Sequence, residues 1–291
     1  MTADGGQGRL TAVRAVAWTV TYLGLGFGLM LGLFALLAPA LIGPNGRPGE
    51  IDPGALLLQT FCGFVGFGAA TLIIGFKALR LGWDDLRWAP TAGAGTGFTR
   101  GMVVGVAAAS GAILLSVPLG RAGFVAESGS FEGYLRGLGA SLLVLAPAAL
   151  LEEIMFRGVG QVALARAIGR GWAVVALSAV FALVHMLNPN ASALGILNVG
   201  LAGVLLGFAF YMPGGIWTAW GAHLGWNGAL TAFDAPVSGM PFHIPMFDYM
   251  PGGPAWLTGG RFGPEGGILA SSMIAVAIVV ARRWAGKELA L

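Results

Sequence analysis

Eight apolar runs, near residues 17–42, 55–76, 101–120, 138–167, 171–187, 191–212, 214–233 and 268–281, leave this chain few ways to fold. Most are ~17–25 residues long, enough for a helix rising ~1.5 Å per residue to cross the ~30 Å of bilayer hydrocarbon. In lipid the backbone must satisfy its own hydrogen bonds, so such runs become helices. The expected fold is all-α: a polytopic membrane helix bundle of about eight transmembrane helices, forming a single membrane-embedded domain over 1–291. A mean hydropathy of +0.80 agrees. Run 138–167 is long for one span and 268–281 is short, so the helix ends are set only to within several residues.

The basic residues suggest an orientation. With the N-terminus in the cytoplasm, that side holds eleven: Arg9, Arg14, Lys77, Arg80, Arg87, Arg100, Arg166, Arg170, Arg282, Arg283 and Lys287. The opposite side holds four, Arg47, Arg121, Arg136 and Arg261, while Arg157 falls inside an apolar run. That bias places both termini in the cytoplasm and implies a multi-pass protein of the inner or plasma membrane. The net charge of +3 is then a matter of topology, and nucleic acid is not an expected partner. The first run is preceded by Arg14 and carries Ala-Pro-Ala at 38–40, but it is far longer than a signal-peptide core and reads as a retained anchor. Cys62 is the single cysteine and lies in an apolar run, which excludes an intrachain disulfide and a cysteine-based metal site.

Glycines four apart, at Gly24, Gly28 and Gly32, at Gly203 and Gly207, and at Gly221 and Gly225, suit close helix packing in lipid. The stretch 77–100, rich in Trp, Arg and Asp, reads as a segment at the cytoplasmic interface. The connection 234–267, dense in Pro, Met and aromatics, reads as an inert interfacial loop, with a lid as the alternative.

Against this background the stretch Leu150–Gly158, LLEEIMFRG, is anomalous. A charge at mid-bilayer costs at least ~2.5–3.5 kcal/mol, so three together demand a reason. Glu152 and Glu153 are the acids that fall within apolar runs, and His185, His223 and Asn227 are polar residues in other runs. Helical spacing sorts them. Glu153 and Arg157 are four apart and can pair along one face, whereas Glu152 points ~100° away. His223 and Asn227 share a face, as do Phe181 and His185. Counted from the cytoplasmic ends of their helices, Glu152, His185 and His223 lie at depths of roughly 22, 21 and 14 Å, compatible with one cavity. A lone membrane His or Asn is ordinarily a hydrogen-bond partner between helices. Two carboxylates, two imidazoles and an amide at matching depth are costly to bury without purpose.

Three short motifs carry a family resemblance. EEIMFR at 152–157, FALVH at 181–185 and HLGWN at 223–227 resemble, in order, the Glu-Glu-x-x-x-Arg, Phe-x-x-x-His and His-x-x-x-Asn motifs of the CAAX prenyl protease and bacteriocin-processing (CPBP, or abortive-infection) intramembrane proteases. They fall on the fourth, fifth and seventh of the eight expected helices, and the resemblance covers a catalytic core of about 138–233. It implies an intramembrane endopeptidase in which Glu152 activates water and His185 helps hold and polarise it. His223 and Asn227 would stabilise the oxyanion, with Glu153 and Arg157 in support. The chemistry agrees: a buried carboxylate makes a base, and Asn and His can donate to a developing oxyanion.

The expected partners are the lipid bilayer and a peptide or protein substrate, prenylated or not, entering from the membrane or its interface. No cofactor is required in this reading, although Glu152, His185 and His223 would make an acceptable zinc set. His-Glu-x-x-His is absent, and those ligands would come from three helices. A proton-coupled transporter is the chief alternative, disfavoured because the polar cluster lies in one half of the chain rather than in repeated halves. A non-catalytic scaffold or immunity-type protein is the other; the complete motif set speaks against it. The sequence carries no signature of substrate identity or oligomeric state.

Overall fold

A computed structural model describes residues 10–41, 52–90 and 93–285. Each apolar run carries helix. In order these are α1 (Ala12–Leu41), α2 (Pro53–Ala70, running on as a π-helical segment, Thr71–Ala78), α3 (Ala94–Gly120), α4 (Phe131–Arg157), α5 (Val159–Ile168), α6 (Arg170–His185), α7 (Ala193–Tyr211) and α8 (Ile216–Ala232). A one-turn α9 (Ala255–Thr258) and α10 (Ile268–Ala285) complete the chain. Local chemistry sets several starts. The Asp52 carboxylate accepts from the Gly54 and Ala55 N–H groups, with Pro53 in the first turn, and the Ser130 and Ser192 hydroxyls accept from Gly133 and Gly195 to open α4 and α7.

The fold is all-α apart from one short two-stranded ladder. Five helical stretches are long and apolar enough to cross a membrane: Ala12–Leu41, Pro53–Ala78, Ala94–Gly120, Phe131–Ile168 and Ala193–Tyr211. The expected eight is therefore met only in part among the described residues. Helices α6, α8 and α10 have 16, 17 and 18 residues. Large apolar side chains such as Val13, Leu36, Leu143 and Leu187 point outward, as a lipid-facing surface would have them.

The long run 138–167 is two helices. It starts early, at Phe131, and breaks at Gly158. The break deprives the Ile154 carbonyl of its usual helical partner, and the Tyr22 hydroxyl of α1 donates to it instead at 3.0 Å. Arg157 thus ends a helix in the protein interior.

Glycine fixes the closest helix pair. A methyl on Gly101 or Gly105 of α3 would collide with the Thr218 or Ala222 carbonyl of α8, and one on Gly221 or Gly225 would strike the Phe98 or Met102 carbonyl of α3. Backbone therefore lies on backbone over two turns of both helices. Of the expected small-residue stripes, Gly203 and Gly207 pack on Ser178 and Val174 of α6. Gly24, Gly28 and Gly32 meet nothing; the close contact of α1 is Gly26, under the Phe67 ring.

The connection 234–267, expected as an inert interfacial loop, packs partly into the protein and carries a strand. Val237, Ile244 and Phe262 are fully buried, and β2 (Phe247–Met250) pairs antiparallel with β1 (Gly123–Ala126), Gly123 opposite Met250. Val237 and Met240 exchange both backbone hydrogen bonds around Ser238 and Gly239, whose φ angles of 49° and 85° mark a type I′ turn. Gly239 is obligatory there, since a side chain would drive into the Pro189 carbonyl. Farther out, Asp234 accepts from the Ile244 N–H at 2.8 Å, and the His243 Nδ1 stands 3.8 Å from Asp234 and 3.9 Å from Asp248. The 77–100 segment also packs inward: Arg87 donates to the Phe210, Tyr211 and Met212 carbonyls that end α7.

Candidate active site

Glu152 and Glu153 sit one turn from the end of α4 and face different surroundings. Glu153 is fully buried. Its Oε1 accepts from Arg157 Nη1 at 3.2 Å and faces His223 Nδ1 of α8 at 2.8 Å. Arg157, also buried, donates to the Gly203 carbonyl of α7 at 3.0 Å and lies over the Phe181 ring of α6, 4.8 Å from its centre. One carboxylate oxygen therefore ties three helices through two cationic or donor side chains. An unpaired charge at this depth would be strongly destabilising.

Glu152 looks the other way. Its Oε2 is buried with no hydrogen-bond partner, 3.9 Å from His185 Nε2 and 3.7 Å from His223 Nε2. Both rings are held from behind. His185 Nδ1 is 2.8 Å from the Phe181 carbonyl one turn back, so it carries the proton there, and His223 Nδ1 is held by Glu153. Each imidazole consequently turns Nε2 toward the same carboxylate oxygen. Phe181 serves both ends of this arrangement, with its carbonyl on His185 and its ring beneath Arg157.

These side chains share a cavity of about 260 Å³. Glu152, His185, His223 and Asn227 line it, with Phe27, Met30 and Leu56 of α1 and α2 as an apolar wall and Ser238 from the 234–267 connection. A smaller space of about 40 Å³ lies behind and shares His185, His223, Asn227 and Ser238. Glu152, His185, His223 and Asn227 thus come together on one cavity, while Glu153 and Arg157 stand behind it.

Two buried polar residues near the site escaped the sequence reading. Glu265, in a short turn (Pro264–Gly266) before α10, lines the rear space; its carboxylate accepts from Trp226 Nε1 at 2.8 Å and from the Ser238 N–H. Asn198 of α7 donates to the Glu265 and Gly267 carbonyls at 2.7 and 2.9 Å and accepts from the Ser271 hydroxyl at 2.6 Å. Neither residue carried a spacing signal, for Glu265 lies in a Gly-Pro stretch that resembles a solvated loop and Asn198 stands alone on its helix.

The zinc set can be tested on this geometry. Zinc with ligands at ~2.0–2.2 Å needs its donor atoms within ~4.2 Å of one another. Glu152 is that close to both imidazoles, yet Glu152, His185 and His223 do not form a group with all donors within 4.8 Å. The open edge lies between the two histidines. As placed, the three do not fit one ion. Among the described residues the group whose donors all lie within 4.8 Å is Glu127, His243 and Asp248, largely exposed beside the β1–β2 ladder.

No curated protein and no solved structure matches the chain. Residues 135–229 match the family model described as Type II CAAX prenyl endopeptidase Rce1-like, a stretch that contains Glu152, Glu153, Arg157, His185, His223 and Asn227. Over residues 135–229, about a third of the chain, the protein is thus similar to the Rce1-like family, in agreement with the CPBP/CAAX resemblance of its three motifs.

Proposed function

We propose that this protein is an intramembrane endopeptidase that hydrolyses peptide bonds of membrane-associated substrates, prenylated CAAX-type tails foremost, with water activated by Glu152. The observation that carries this reading is the unpartnered Glu152 Oε2, buried on the cavity wall within 4 Å of two imidazole Nε2 atoms. A water among the three satisfies the carboxylate. As its oxygen adds to the scissile carbonyl carbon, Glu152 takes its proton, and His185 Nε2 holds the water in line. The carbonyl oxygen gains charge and is met by the Asn227 amide and by His223, whose second proton is held on Glu153. The C–N bond then breaks as the proton on Glu152 passes to the leaving amine. No metal enters this scheme. We further propose eight membrane crossings with both termini cytoplasmic, in an inner or plasma membrane, and a substrate that reaches the cavity from the lipid or its interface.

The test uses the full-length protein in lipid-detergent micelles and an internally quenched peptide ending in a farnesylated Cys-aliphatic-aliphatic tail. Glu152→Gln should lower kcat by ~1,000-fold or more, and Asn227→Ala by ~100-fold with KM little changed. Transport offers the contrary forecast: a proton relay would depend on Glu152 and His223 but hardly on Asn227, because an amide carries no proton at neutral pH. Normal turnover by Glu152→Gln sinks the hydrolytic assignment.

A further inference from the structure

Ser238 is a cavity residue that this hydrolytic scheme leaves without a task, and its backbone is strained. Its φ of 49° lies in the left-handed region, at a turn position that Asn, Asp or Gly ordinarily takes. Three restraints keep it there. The buried Glu265 carboxylate accepts its N–H, Asn188 Nδ2 donates to its carbonyl at 3.1 Å, and the following N–H, of Gly239, donates to the Phe262 carbonyl at 2.9 Å. A conformation held by surrounding structure against its own preference is characteristic of functional sites. Ser238 lines both the main cavity and the space behind it, beside His185, His223 and Asn227.

Resting on the endopeptidase reading above, we infer that Ser238 binds the polypeptide backbone of the substrate next to the scissile bond, and that Glu265 is its positioning residue. Through the Ser238 N–H, the buried Glu265 carboxylate fixes the turn that presents the Ser238 hydroxyl beside the cavity. The hydroxyl oxygen keeps its lone pairs for the cavity, where they accept from a substrate N–H. An extended peptide in a largely apolar cavity needs such acceptors, because an unpaired amide there is costly. Glu265 also grips Trp226, the neighbour of Asn227 on α8.

The test is the same cleavage assay, with thermal unfolding followed alongside. Ser238→Gly removes the hydroxyl while relieving the left-handed strain. It should unfold at the wild-type temperature or above, yet raise KM about tenfold, the value of one hydrogen bond, with kcat within about threefold. Glu265→Gln should also raise KM, and the double variant should be no worse than Ser238→Gly alone, because Glu265 acts through Ser238. A wild-type KM in Ser238→Gly, or a loss confined to kcat, overturns the binding role. Strictly additive KM effects overturn the positioning role. Failure of the wild type to cleave the peptide is a different result: it overturns the endopeptidase reading and this inference with it.

Discussion

Two carboxylates are buried beside the same cavity, and they are made tolerable by opposite means. Glu153 on α4 is held in an ionic and imidazole network, with Arg157 four residues on and His223 from α8. Glu265, in the turn before α10, is held by an indole and a backbone N–H. Burial pushes the Glu265 carboxyl above the usual carboxylate range, and the Ser238 and Trp226 hydrogen bonds oppose that. The ionic site builds a fixed field behind the reacting groups. The other, with uncharged partners, fastens a strap of chain to the cavity. A buried carboxylate can thus serve as charge or as clasp, and the partners decide which.

That contrast can be broken most readily at Arg157. Arg157→Ala strands Glu153 without its cation and should cost ~3–5 kcal/mol of stability in detergent. A wild-type unfolding midpoint would show that the pair carries no such weight. A smaller pair of effects sharpens the comparison. Glu153→Gln leaves a guanidinium uncompensated in the interior, whereas Trp226→Phe removes one donor from Glu265 and should cost only ~1–3 kcal/mol. Thermal denaturation of both variants should rank Glu153→Gln as the more damaging, and equal losses would erase the distinction between charge and clasp.

The smallest effect concerns a third acid, Asp234, at the outer end of the strap. Burial is the main cause raising its carboxyl to about 6; the Ile244 N–H and then His243 oppose the rise, and Asp248 adds to it. Glu127 completes the charged groups around His243 and Asp248. A folded-state value above the ordinary 3.8 means that the fold holds the proton more tightly than the unfolded chain does. The resulting stabilisation is full below about pH 4 and is lost as pH rises through about 6. The unfolding midpoint should therefore fall modestly across that window, and Asp234→Asn should flatten the fall. An unchanged slope in Asp234→Asn would place the titration elsewhere.

How much of this was legible follows from where the partners lie in the chain. Helical periodicity exposed the Glu153–Arg157 pair because its members are four apart, and the apolar runs announced the helices. The bond from His223 to Glu153 spans 70 residues, that from Trp226 to Glu265 spans 39, and that from Ser238 to Glu265 spans 27. No local period encodes such contacts. Composition misled for 234–267, since Pro, Met and aromatics suit a buried strap as well as an interfacial loop. Spacing alone misled for Gly24, Gly28 and Gly32, because four-residue intervals recur on every face of a glycine-rich helix, and Gly26 is the one that meets a neighbour. The run 138–167 read as one element because nothing in its hydropathy marks Gly158, where the backbone turns aside.

The seam between α3 and α8 bears on how this protein would respond to force rather than to mutation of its reacting groups. Where Gly101 and Gly105 lie on Thr218 and Ala222, and Gly221 and Gly225 on Phe98 and Met102, the two backbones touch without intervening side chains. Such a joint has no rotamers to rearrange and almost no free volume to surrender. It should behave as a stiff hinge pin, nearly incompressible under hydrostatic pressure, while the roomier wall of α1 and α2 across the cavity yields first. His223 and Asn227 ride on the stiff member, so compression or bilayer thinning should alter the width of the cavity before it disturbs the alignment of the groups proposed to act in it.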